Sequence, residues 1–131
     1  MKVLVCGGRH FKNRALLELA LDRVHARRPF DHLIHGGAEG ADMMAGQWAL
    51  DNRVPFEAFE ARWNTYHGNR AGNVRNARML REGRPDLVIA FEGGSGTQDM
   101  ICKTLAAGIP VLVVSSTGLI RRLGADKDVV L

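Results

Sequence analysis

The chain is poor in the residues that staple or anchor a protein. It has two cysteines, Cys6 and Cys102, among 131 residues. That excludes a disulfide-built scaffold, and both thiols read as buried and free in a reducing compartment. Aromatic residues make up 6% of the chain, so its core must be largely aliphatic. No apolar run approaches the ~20 residues that cross a bilayer. The first residues run straight into a strand with no cleavable leader, so the expected location is the cytoplasm. His10, His25, His32 and His67 form no metal-ligand spacing and neither cysteine completes one, so no metal is expected. Two phosphate-binding signatures are missing as well. There is no G-x-x-x-x-G-K-[ST] loop, which argues against an ordinary ATPase or GTPase, and no G-x-G-x-x-G after the first strand, which argues against a standard nicotinamide dehydrogenase. The net charge is +4, compatible with a phosphate ligand or with nucleic acid, but no long basic stripe supports the latter. The pairs Arg27-Arg28 and Arg121-Arg122 read as solvated helix ends.

What is present is a core-forming composition, 46% hydrophobic, arranged as alternating strands and helices. Apolar or β-rich runs predict strands at residues 2–6, 31–35, 55–60, 86–91 and 110–114, with a further edge strand at 128–131. Helical spacing predicts helices at 14–26, 41–52, 73–81 and 97–107, the last closed by Gly108, and a short helix at 119–123. Residues 62–72 read as a loop. Short links and βα alternation predict a single α/β domain over 1–131, a Rossmann-like doubly wound, mostly parallel sheet of about five to six strands. In that architecture ligands bind beyond the carboxyl ends of the strands.

Three glycine clusters fall at those ends: Gly7-Gly8-Arg9, Gly36-Gly37-Ala38-Glu39-Gly40-Ala41-Asp42, and Glu92-Gly93-Gly94-Ser95-Gly96-Thr97. Glycine lets a backbone approach closely, and a helix N-terminus offers unpaired N–H groups to an anion. The last cluster is the sharpest, with Thr97 at or near a helix N-cap, free to cap, to touch phosphate, or both. Arg9 can close over a phosphate bidentately. Asp42 is either a helix-start residue, a ribose contact or the orienter of a loop. His35 ends the second strand beside Gly36. Arg75, with Asn76, opens a helix whose dipole it opposes, which points Arg75 at an anion instead. Trp63, Tyr66 and the amides around them are base-stacking candidates or local core.

Taken in order, Gly7-Gly8-Arg9, His35-Gly36-Gly37-Ala38 with Gly40-Ala41-Asp42, Arg75-Asn76 with Met79-Leu80, residues 85–91 and Gly93-Gly94-Ser95-Gly96-Thr97 resemble the SLOG superfamily. This is the Rossmann-like group that includes the Lonely Guy phosphoribohydrolases and the DNA-processing protein A proteins. The YspA-like branch, small bacterial and phage proteins, is the most similar. The resemblance implies a nucleotide or nucleotide derivative on these loops. Lonely Guy enzymes cut the N-glycosidic bond of a nucleoside monophosphate and read P-G-G-x-G-T-x-x-E with an upstream arginine. Here Glu92 stands at the proline position and Met100 at the glutamate position. Asp99 comes one residue early, about 100° away around a helix. Arg75 matches the arginine. Relatives of this kind often dimerise, so a homodimer or larger homo-oligomer is among the expected partners.

Three readings follow. The first is binding of a nucleotide, of ADP-ribose or NAD type among others. Phosphate would lie on Gly93–Thr97 and Gly36–Gly37, between Arg9 and Arg75, with Glu92 and Asp42 near hydroxyls. The second is phosphoribohydrolase-type cleavage with Arg75, Glu92 and Asp99 as candidate catalytic residues. The third is single-stranded nucleic-acid binding. No cofactor is implied.

Overall fold

The computed structural model describes residues 1–62 and 69–124. The order is β1 (Lys2–Cys6), α1 (Arg14–Arg27), β2 (His32–His35), α2 (Ala41–Asp51), β3 (Phe56–Ala58) and α3 (Asn69–Arg78). A π-helical turn (Met79–Gly83) continues α3, followed by β4 (Leu87–Ala90), α4 (Ser95–Ala106), β5 (Val111–Val114) and β6 (Ile120–Leu123). The six strands run β3-β2-β1-β4-β5-β6 across one sheet. All neighbours are parallel except β5 and β6. This is the Rossmann-like α/β fold expected.

Alternation along the strands feeds two apolar layers. Val3, Val5, Leu33, Ile89 and Leu112 meet Leu17 and Leu21 of α1 and Trp48 of α2 on one face. Leu4, Ile34, Val88, Ala90 and Val111 meet Met79, Met100 and Ile101 on the other. Local chemistry sets the ends of the elements. The Asn13 carboxamide oxygen accepts the Leu16 N–H at 3.1 Å to start α1. Gly108, at φ +76°, follows the end of α4.

Two expectations need correction. Residues 119–123 contribute a strand, not a helix, because the Ser115–Gly118 turn folds the chain back as a hairpin. Gly118 takes φ +87° and its N–H reaches the Ser115 carbonyl at 3.0 Å. Arg121 and Arg122 therefore lie on β6, paired in register with Val113 and Leu112. The loop expected at 62–72 is already helical from Asn69. Trp63, Tyr66 and the edge strand expected at 128–131 fall outside the described residues.

The strand order reverses between β1 and β4, each the start of one half of the sheet. The turns leaving these two strands diverge into helices on opposite faces, and a crevice opens at their carboxyl ends.

Candidate functional site

The turns after β1, β2 and β4 touch one another through their backbones. The Gly8 N–H donates to the Glu92 carbonyl at 2.8 Å, and the Gly8 carbonyl accepts from Phe11 and Ala41 at 3.2 and 3.3 Å. A Cβ at Gly40, whose φ is +80°, would sit 2.3 Å from the Gly8 oxygen. At Gly93 a Cβ would sit 2.6 Å from the Gly8 nitrogen. Gly8, Gly40 and Gly93 are therefore required for loop-on-loop packing.

The Gly36 turn has its amides occupied. Asp42, 5% exposed, accepts the Gly36 and Ala38 N–H groups on a single oxygen, Oδ2, at 3.1 and 3.3 Å. The Gly37 N–H donates to His35 Nδ1 at 3.0 Å. His35 is buried, and burial, then Arg75, push its pKa below the usual imidazole range. A neutral ring is what an accepting Nδ1 requires. Asp42 thus orients the loop, as one of its sequence readings held. With these amides taken, a phosphate at Gly36–Gly37 has no N–H left to meet.

Arg75 grips the same turn from α3. Its Nη1 donates to the Gly36 carbonyl at 2.5 Å and its Nε to Asn76 Oδ1 at 3.0 Å. Asn76, 4% exposed, passes the connection on through Nδ2, which donates to the Gly96 carbonyl at 3.1 Å and to Asp99 Oδ2 at 3.0 Å. Asp99 also pairs with Lys103. Burial lowers the Arg75 pKa while Asp42 holds it up, and the guanidinium keeps its charge. Burial pushes Asp42 up to about 6, against the opposite pull of Arg75 and the two loop amides.

The third turn differs. Gly94 is the N-cap of α4 and offers no side-chain bond. Among the described residues, the N–H groups of Gly94, Ser95, Gly96 and Thr97 have no partner. A Cβ at Gly94 or at Gly96 would meet nothing within 4 Å. The Thr97 side chain, buried at 6%, lies against Gly93 and does not cap the helix.

These features bound a cleft of about 720 Å³, within the usual size of small-molecule sites. Of the residues singled out in the sequence, its wall collects Gly7, Gly8, Arg9, Asp42, Arg75, Asn76, Glu92 and Gly93–Thr97. His35, Gly36, Gly37, Gly40 and Asp99 lie outside the wall. Arg9 and Glu92 are exposed at the rim. Ala38 and Met79, from the stretches that carry the family resemblance, also line it, and Cys6, His10 and Phe11 join without having been anticipated as site residues. Cys6 adjoins Gly7, and that adjacency was the available signal; His10 and Phe11 follow Gly7-Gly8-Arg9 directly. Met100 is fully buried in the second apolar layer, so the position of the Lonely Guy glutamate faces core. Cys6 is buried as expected, but Cys102 is exposed.

The sequence model of the YspA, cpYpsA-related SLOG family matches residues 1–66. The Gene 61 protein of Mycobacterium phage D29 is 39% identical over 120 residues, covering 85% of this chain and 94% of that protein. The chain belongs to this SLOG family. Among solved structures, MurG of Acinetobacter baumannii superposes with a TM-score of 0.55 at 15% identity, over 87% of this chain and 34% of that one. The SLOG chain thus spans about a third of MurG, and the likeness bears on fold alone. Family and Rossmann-like architecture together make this a nucleotide-related binding fold. Among the described residues, no helix of this SLOG protein is long and apolar enough to cross a membrane. No group of three or more His, Cys, Asp or Glu among them is placed to hold a metal ion.

Proposed function

We propose that the protein binds a nucleotide or nucleotide derivative in the cleft between β1 and β4, with its phosphate on the first turn of α4. One observation carries this reading: among the described residues the N–H groups of Gly94–Thr97 lack partners, and Gly94 and Gly96 border open space. A helix N-terminus supplies aligned donors and a partial positive charge to an anion. Arg9, exposed at the rim, adds a cation. The lining around Cys6, Phe11 and Met79 gives the rest of the ligand an apolar wall.

A thermal-shift screen over nucleotides tests the reading, since any compound that binds only the folded state raises the melting temperature by mass action. Gly94→Val should fold, because a Cβ there meets no described atom within 4 Å, and should lose the shift. A folded variant that keeps the full shift refutes the assignment.

One observation favours a second reading, phosphoribohydrolase-type cleavage of a nucleoside monophosphate: Asp42 is a cleft carboxyl raised to about 6 beside Arg75. A raised carboxyl suits acid catalysis at a glycosidic bond. Asp99 is committed to Lys103 and Asn76, which leaves Asp42 and Glu92 as the carboxyls of the cleft among the described residues. Incubation with purine and pyrimidine monophosphates, followed by chromatography for free base, decides between cleavage and binding alone.

A further inference from the structure

Asp42 is buried, yet its two oxygens have different roles. Oδ2 accepts both loop amides. Oδ1 has no partner among the described residues, is not one of the fully occluded unpaired atoms, and belongs to a residue of the cleft wall. The loop amides fix the carboxylate plane, so Oδ1 presents a rigid acceptor to the cleft. The charged and titratable groups around it come from every neighbouring element. Arg75 reaches in from α3, Cys6 and His35 end β1 and β2, Arg9 and His10 follow β1, and Glu92 follows β4. An anion gains nothing at Oδ1. A hydroxyl does, because a charged acceptor strengthens its hydrogen bond.

We propose that Asp42 is the specificity-determining residue of the cleft. Through Oδ1 it reads a hydroxyl on a phosphate ester whose phosphate lies on α4, so the site takes ribose-type phosphates in preference to their deoxy counterparts. This rests on the phosphate-binding reading above. The near-isosteric Asp42→Asn makes the idea sharp. The two N–H groups at Oδ2 require an acceptor there, so the asparagine carbonyl must take that place. Its NH2 then replaces Oδ1, and the acceptor facing the cleft becomes a donor.

The test measures dissociation constants by calorimetry for inorganic phosphate, ribose 5-phosphate against 2-deoxyribose 5-phosphate, and AMP against its 2′- and 3′-deoxy forms. At pH 7.5 the wild type should prefer one hydroxyl-bearing partner by about tenfold or more, the scale of a charge-assisted hydrogen bond. In Asp42→Asn the preference should shrink to within about threefold, with phosphate bound no more weakly. The wild-type preference should also shrink at pH 5, where Asp42 is protonated, while any contribution from His10 acts on both members of a pair and cancels. Equal binding of every pair by the wild type, or a preference kept by the variant, overturns the proposal. So does a variant weakened equally on all probes, phosphate included, which would make Asp42 structural only. Should the variant fail to fold, the wild-type ratio at the two pH values decides. Failure of every probe to bind overturns the phosphate-binding reading itself, a distinct result.

Discussion

Two substitutions three residues apart should separate packing from binding within one turn. In Gly93→Ala the new Cβ would lie 2.1 Å from Thr97 Oγ1 and 2.6 Å from the Gly8 nitrogen. The threonine side chain can rotate away. The Gly8 backbone cannot move without breaking its 2.8 Å bond to the Glu92 carbonyl. Overpacking costs ~1–3 kcal/mol and a lost hydrogen bond ~1 kcal/mol, together about 2–4 kcal/mol. At roughly 3–5 °C per kcal/mol for a domain of this size, the melting temperature should fall by roughly 6–20 °C. Gly96→Ala faces no such neighbour. Alanine is better than glycine in a helix by up to ~1 kcal/mol, so the apo protein should melt at or slightly above the wild-type temperature. Its methyl tilts toward the helix N-terminus, into the space an anion needs, so nucleotide affinity should drop by about tenfold or more. Scanning fluorimetry with and without nucleotide reads both effects. A Gly93→Ala protein that melts like the wild type would refute the close loop contact. A Gly96→Ala protein with undiminished nucleotide stabilisation would refute the anion site.

Three further outcomes are expected. Asp42 titrates near 3.8 when unfolded and about 6 when folded. The folded state therefore holds the extra proton, and the Asp42 contribution to stability declines as pH rises through this window, by on the order of 3 kcal/mol. His35 has the opposite sign: its folded pKa is lowered, so its contribution is present above about 6.5 and is lost as pH falls. His35 is common to wild type and Asp42→Asn, so a difference in denaturation free energy between them that stays flat from pH 4 to 7 refutes the Asp42 assignment. Arg75→Lys should cost about 1.5–3 kcal/mol, because one ammonium cannot span both the Gly36 carbonyl and Asn76; a loss below ~0.5 kcal/mol by urea titration would contradict this. A maleimide should label exposed Cys102 in the native protein and spare Cys6, whose thiol burial pushes up; equal native labelling of both by mass spectrometry would contradict the burial.

The parallel strands were legible because fully buried strands are continuous apolar runs, as in residues 87–91. β6 was not, since Leu119, Ile120 and Leu123 fit helical spacing as well as a hairpin strand, and the serine-glycine turn before them decides the matter. The glycine clusters correctly marked the rim of the sheet, yet composition could not tell a glycine that packs from one that borders open space. Gly93 and Gly94 are adjacent in sequence and opposite in this respect. Met100 shows the converse. A methionine stands where the Lonely Guy motif has a carboxylate, and the helix phase explains why no carboxylate would be tolerated there: the side chain is fully buried among apolar groups.

The three turns are one device with unequal parts. The turn after β2 spends its amides on Asp42 and His35 and its first carbonyl on Arg75. The turn after β1 spends the Gly8 amide on β4's exit. Arg75 hands its Nε to Asn76, whose Nδ2 holds the Gly96 carbonyl and Asp99. The bonds of Gly8, Arg75 and Asn76 end around the start of α4 or on a group that leads there, while those to Asp42 and His35 shape the turn that Arg75 holds. On the proposed reading, two glycine turns and two helices act as a frame that holds one helix N-terminus open, and donors without partners among the described residues would cost little reorganisation on binding an anion. On this argument Asn76→Ala, which touches no donor of the α4 turn directly, should still weaken phosphate binding, because it releases the carbonyl of Gly96 from α3. Calorimetry with inorganic phosphate reads the effect, and an unchanged affinity would show that the α4 turn holds its shape without the frame.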